Sequence, residues 1–207
     1  MIDSGDSMKA YGESIFDILY LIFAVAVGVV ILRKARDRRQ RLMGIACITL
    51  GLGDAFHLVP RVLSYFVTAD FNTALGVGKL ITSITMTVFY ILMYHILIQS
   101  EGAEEKRPLT VILYALAALR IGLCLMPQND WIHNSSPLLW GVLRNIPFLF
   151  IGAIIAVLYY RARKVPYFRF IWLFVVLSFA FYIPVVVGAE AVPILGMLML
   201  PRRSAIS

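Results

Sequence analysis

The chain has 207 residues, 60% of them hydrophobic, and a mean hydropathy of +0.83. Soluble domains are roughly 45–50% apolar. The excess is gathered into long blocks separated by short polar stretches, the pattern of α-helices solvated by lipid; a membrane β-barrel would alternate with period two, and no long segment does so. The net charge of +7 does not require a nucleic-acid partner, because the basic residues lie between the apolar blocks, where membrane topology alone accounts for them.

A span needs about 20 predominantly apolar residues. By that ruler the chain is an all-α, polytopic transmembrane helix bundle forming a single domain. Its full spans are predicted at about 15–32, 42–66, 74–98, 109–126, 138–160 and 168–188. The segment before them, Met1 to Ser14, is acidic and polar and lacks the basic start and cleavage site of a signal peptide, so the first span is expected to be retained. After the sixth span, 191–200 is apolar but only half the length needed to cross, and Pro201-Arg202-Arg203 follows. It reads as a partial seventh span, and the chain as a shortened version of a seven-helix protein.

Lys and Arg orient the bundle. Arg33, Lys34, Arg36, Arg38, Arg39 and Arg41 follow span one. Lys106 and Arg107 follow span three, Arg161, Arg163, Lys164 and Arg169 follow span five, and Arg202 and Arg203 close the chain. Alternating helices put all of these on one side. The opposite side has only Lys9, and its loops 67–73, 127–136 and 189–191 have no Lys or Arg. The positive-inside rule therefore places the N-terminus outside, in a multi-pass protein of the cell membrane, taken to be the plasma membrane. Trp131, Trp140 and Tyr65 fit an outer aromatic belt, and Tyr159, Tyr160, Tyr167 and Trp172 an inner one.

Four basic residues fall inside spans: Arg61, Lys79, Arg120 and Arg144. Each costs about 2.5–3.5 kcal/mol at a helix centre on insertion scales. Counting from the helix ends at 1.5 Å per residue, all four lie roughly 7–10 Å below the outer boundary. Asp54, His57 and Arg61 are spaced i, i+3, i+7 and share one face of span two. Gly51 and Gly53 there allow a close neighbour, and Pro60 frees a carbonyl near Phe56. Span three adds Thr82, Ser83 and Met86, and span five places Asn145 beside Arg144, ahead of Pro147. The acids at this level are Asp17, Asp54 and Glu190, with Glu13 slightly higher. Bases outnumber acids, and uncompensated positive charge in a low-dielectric pocket attracts an anion.

The candidate ligand-binding set is therefore Asp54, His57, Arg61, Lys79, Arg120, Arg144 and Asn145. The ligand expected is a small anion or zwitterion, and membrane lipid is the other partner. The bland reading is a structural network in which Arg61 pairs with Asp17, or Arg144 with Glu190. His95 reads as interfacial and His133 as a solvated loop residue. Asn134-Ser135-Ser136 matches a glycosylation acceptor but sits in a very short loop. Cys47 and Cys124 lie in apolar segments at opposite depths and are expected to be free thiols. No Walker loop, dinucleotide fingerprint, Cys-x-x-Cys pair or His-Glu-x-x-His helix is present, so no cofactor or resident metal is expected.

The run Gly51-Leu52-Gly53-Asp54-Ala55-Phe56-His57 resembles the second helix of the CREST superfamily, which includes the alkaline ceramidases and the progestin and adipoQ receptors. The segment through Arg61 also resembles uncharacterised bacterial multi-span proteins, a likeness that implies no function. The CREST resemblance implies seven helices and a metal-dependent membrane hydrolase, with His57 in the place of the metal-binding histidine of helix two. Two departures stand against it. The family's serine, four residues before that histidine, is Gly53 here. Its other two histidine ligands belong to helix seven and have no counterpart in this chain.

Three functions thus stand side by side: an outward-facing intramembrane pocket that binds or transports a small ligand, a CREST-like hydrolase, and a structural membrane protein. The orientation has a direct test. Single cysteines placed in 67–73 or 127–136 should react with an impermeant label on intact cells, and cysteines in 36–41 should not; the reverse pattern would invert the topology.

Overall fold

Apolar blocks longer than a soluble helix needs, broken only by short polar turns, leave the backbone one economical way to satisfy its N–H and C=O groups, namely local helix bonds. The computed structural model describes residues 4–100 and 107–188, and no strand occurs among them. Six α-helices follow in order: α1 Ser4–Lys34, α2 Arg38–Phe66, α3 Asn72–Ile98, α4 Arg107–Leu125, α5 Leu138–Arg161 and α6 Ile171–Gly188. Short 3-10 turns occupy Pro127–Asn129 and Pro166–Phe168. The helices α1 to α5 are long and apolar enough to cross a membrane, and α6 is apolar along its described length to Phe181. Helix α1 begins well before the expected residue 15, because helix bonds continue through the polar N-terminal segment, which contains no proline. The partial span 191–200, together with Glu190, Arg202 and Arg203, lies outside the described residues.

Each helix packs on its sequence neighbours, and α3 also meets α5. The turns α1–α2 and α5–α6 and the end of α3 gather at one end, hereafter the basic end, where Asp37, Arg38, Gln99, Ser100, Val165 and Tyr167 surround a common space. The start of α1, the α2–α3 turn and the α4–α5 loop gather at the far end. Helix α2 starts with a side-chain cap. Asp37 Oδ1 accepts from the Gln40 N–H at 2.7 Å, and Gln40 Oε1 accepts from the Arg36 N–H at 2.7 Å. One of the donors that a helix start leaves open is thereby bonded, and a second bond holds the chain just before the cap.

The core lies between α3, α4, α5 and α6. Leu113, Ile151, Ile155, Tyr159 and Phe168 are fully buried. The Tyr90 and Phe148 rings meet edge-on at 5.2 Å. Polar tips in this core find partners: Tyr159 donates to Met93 O at 2.9 Å, and the Tyr94 and Thr110 hydroxyls lie 2.6 Å apart. By contrast, Phe16, Ile22 and Phe23 of α1 are exposed, as lipid-facing side chains of a membrane helix are.

Helices α2 and α3 meet backbone to backbone. Pro60 has no N–H for the Phe56 carbonyl, and the backbone of α3 at Gly78 lies against that carbonyl and against His57 Cα. A side chain at Gly78 would occupy the space of the carbonyl itself. Gly53 packs on Thr85 of α3, Thr82 Oγ1 donates to Gly53 O at 3.0 Å, and Gly51 faces Ala24 and Val25 of α1. The two glycines of α2 thus serve different neighbours. Replacing Gly78 by Ala should cost about 1–3 kcal/mol through backbone displacement. Gly122→Ala and Gly141→Ala, which meet open space, should cost nothing. Thermal midpoints of the three variants in detergent measure the difference, and equal midpoints would contradict the close approach.

Candidate functional site

Hydrocarbon cannot bond a cation, so a basic side chain within a span points to the protein groups that face it. At the far end, Arg61 of α2 forms an ion pair with Glu13 of α1, Nη2 to Oε2, at 2.8 Å. Tyr65 OH donates to the same carboxylate oxygen at 2.7 Å. The expected partner Asp17 is not the one used. It lies one helical turn further along α1, and its buried Oδ2 has no hydrogen-bond partner among the described residues.

Lys79 and Arg144 are met by the α4–α5 loop. Lys79 Nζ donates to Asn134 Oδ1 at 2.7 Å. Arg144 Nη1 donates to Asn129 Oδ1 and Ser136 Oγ, both at 2.6 Å, and its guanidinium lies 4.4 Å from the centre of the Trp131 ring. This loop is folded into the bundle. Asn129 is fully buried, and its Nδ2 donates to Leu123 O at 2.8 Å and Met126 O at 2.9 Å. Trp131, expected in an aromatic belt, is instead buried, with its indole N–H on Cys124 O at 2.8 Å. The loop backbone at Trp131 rests on Gly76, where any side chain would collide with it, and Thr73 Oγ1 donates to Ile132 O at 3.0 Å. Asp130 and Asn134 take the left-handed φ values of 47° and 54° that such a tight loop needs.

At the solvent side of the loop, His133 Nδ1 lies 2.6 Å from Asp130 Oδ1, and Ser135 Oγ donates to Oδ2 at 2.9 Å. These bonds, that of His133 first, hold the Asp130 carboxyl below the usual carboxylate range. A lowered carboxyl pKa means that the contact is present above the ordinary carboxylate pKa and is lost as pH falls through the lowered value.

Arg120 and Asp54 are placed differently. Arg120 is 2% exposed, with its guanidinium 3.3 Å from the centre of the Phe148 ring. Asp54 accepts a hydrogen bond from Tyr20 OH of α1 at 2.7 Å, Oδ2 being the acceptor. Both line a cavity of about 220 Å³, together with Thr82, Ser83, Met86, Tyr90, Phe148, Ser178 and Phe179. From its helix end, Asp54 is about 18 Å along α2 and Arg120 about 8 Å along α4, so the cavity lies along the length of the bundle and not at its end. Asn145 is buried and donates to Gly141 O at 2.8 Å.

His57 lies against the α3 backbone at Gly78 and near the charges of Lys79 and Arg61; its Nδ1 is buried without a hydrogen-bond partner among the described residues. No group of three His, Cys, Asp or Glu side chains able to hold a metal occurs among the described residues. The cations beside His57 do not fit a divalent ion there.

Of the seven residues singled out by sequence, the structure thus brings Asp54 and Arg120 to one cavity. It gives Arg61, Lys79 and Arg144 separate protein partners. Tyr20, Tyr90 and Ser178 were missed because they look like ordinary span residues. Asn129, Trp131 and Asn134 were missed because a polar loop reads as solvated; their signal was two asparagines and a tryptophan in a loop beside the helices that carry Lys79 and Arg144. No protein-family profile, no curated protein and no solved structure matches this chain.

Replacing Asn129 by Ala removes one acceptor of Arg144 and the donor that ties the loop to the end of α4. An unsatisfied buried group costs about 1–3 kcal/mol, which is roughly 5- to 150-fold faster local opening. Hydrogen exchange over 127–136 should accelerate by that factor while the core of α5 is unchanged. An unaltered loop would show that it is held by something else.

Proposed function

We propose that the chain is an integral membrane protein of the cell membrane, with its N-terminus outside, that binds a small zwitterionic ligand in the cavity between α2, α3, α4, α5 and α6. One observation carries this reading. That cavity is lined by one acid and one base, Asp54 and Arg120, with hydroxyl groups and aromatic faces between them. An acidic group of the ligand would lie on Arg120 and a cationic group on Asp54. Thr82, Ser83 and Ser178 offer hydrogen bonds, and the Tyr90, Phe148 and Phe179 rings offer apolar and cation–π contact. The volume is below the roughly 300–1,000 Å³ of drug-sized sites, which limits the ligand to a small metabolite. The α4–α5 loop at the far end would be the outer cover of the bundle, so passage to the outside requires it to move.

The second reading is a structural bundle without a ligand. It is favoured by Arg61, Lys79 and Arg144 each having a protein partner.

A thermal-shift screen of free amino acids, betaines and phosphoethanolamine on the purified protein separates the two. A binder is then titrated against Asp54→Asn, Arg120→Met and, as a control, Arg61→Gln. Loss of a charged hydrogen bond of about 1.5–3 kcal/mol predicts roughly 10- to 150-fold weaker binding for the first two variants and wild-type affinity for the third. Equal affinity across all of them, or no binder in the panel, would leave the structural account.

A further inference from the structure

A second cavity lies at the basic end, where three separate parts of the chain converge. Its volume is about 390 Å³, and its walls include Arg38 and Arg39 from the start of α2, Gln99 and Ser100 from the end of α3, and Tyr167 before α6. The Arg39 guanidinium lies 5.0 Å from the centre of the Tyr167 ring, within cation–π range. Asp37, the acid in this lining, is already engaged, since its Oδ1 caps α2 at Gln40. The Ser100 hydroxyl is likewise turned to Leu97 O. Arg38, Arg39 and Gln99 therefore line a space that none of these bonds fills.

We propose that this cavity binds a phosphate group, with Arg38 and Arg39 as its principal ligands and Tyr167 positioning Arg39. Guanidinium forks suit tetrahedral oxyanions, and two of them on one wall can share a phosphate more effectively than the scattered basic residues of the same end. The level within the bundle favours a lipid headgroup as the source. Helix ends with Tyr160, Tyr167 and Trp172 beside them lie where headgroups meet hydrocarbon, and basic pockets between helices at that level take anionic headgroups. A free phosphate has the same chemistry and is the alternative source. This site is independent of the zwitterion cavity, which has different walls.

The test uses the full chain in detergent, titrated with dioctanoyl phosphatidylglycerol, dioctanoyl phosphatidylcholine and inorganic phosphate. Wild-type protein should bind the anionic lipid at least tenfold more tightly than the zwitterionic one. The double variant Arg38→Gln, Arg39→Gln should lose that preference at least tenfold. Tyr167→Leu, which changes no charge, should weaken it several-fold. Arg161→Gln with Arg163→Gln, exposed basic residues at the same end outside the cavity, should bind as wild type. Competition by inorganic phosphate would assign the site to phosphate itself, and its absence to the lipid headgroup; both agree with the proposal. Equal loss in the two arginine pairs would show only a diffuse positive field and overturn it. So would binding that appears only after Glu101, Glu104 and Glu105, which follow Ser100 in sequence, are changed to Gln, because the chain's own carboxylates would then be the occupant.

Discussion

Hydrocarbon offers an ammonium or guanidinium group no partner, so each cation carried within α2 to α5 has to be bonded by protein. That constraint organises the far end of the molecule. Arg61 draws α1 onto α2 through Glu13 and Tyr65. Lys79 and Arg144 draw the α4–α5 loop down between α3 and α5. The loop in turn supplies Trp131 as a lid over the guanidinium and closes the end of α4 with its indole N–H. A few charges that are costly to insert thereby connect α1 to α2 and α3 to α5, where lipid provides little hydrophobic drive for helices to associate.

The same end depends on small residues. Gly76 admits the loop backbone, and Gly78 admits the Phe56 carbonyl that Pro60 leaves without a helix donor. With α2 and α3 this close, Asp54 and Thr82 sit beside one another's helix on the wall of one cavity, and Arg120 of α4 faces the same space. The polar cavity is thus a consequence of backbone contact between two helices as much as of the charges themselves.

At the basic end the pattern differs. There Arg38 and Arg39 sit at a helix start, where three parts of the chain converge on one cavity. The Asp37–Gln40 cap sets the shape of one wall. Its signal was present in sequence as an acid three residues before a glutamine at the start of an apolar run.

What the amino-acid sequence determined by itself was the class: long apolar blocks can satisfy their backbone only as helices, so the all-α bundle and the bounds of α2 to α5 follow to within a few residues. That Arg61, Lys79, Arg120 and Arg144 fall within helices was legible for the same reason, since rise per residue converts position in the chain into position along a helix. Which acid meets which base was not legible. Glu13 and Asp17 are one turn apart on α1, and only the relative rotation and offset of α1 and α2 selects Glu13 for Arg61. Nor could sequence reveal that Asn129, Trp131 and Asn134 are interior groups. A loop's burial depends on the space left between helix ends, and that space exists only after α3, α4 and α5 have packed. Tertiary structure likewise decided that Asp54 and Arg120, far apart in sequence, share a cavity while Lys79 and Arg144 spend their charge on the loop, because helix facing is set by contacts such as Gly78 on Phe56 and not by the composition of any one span.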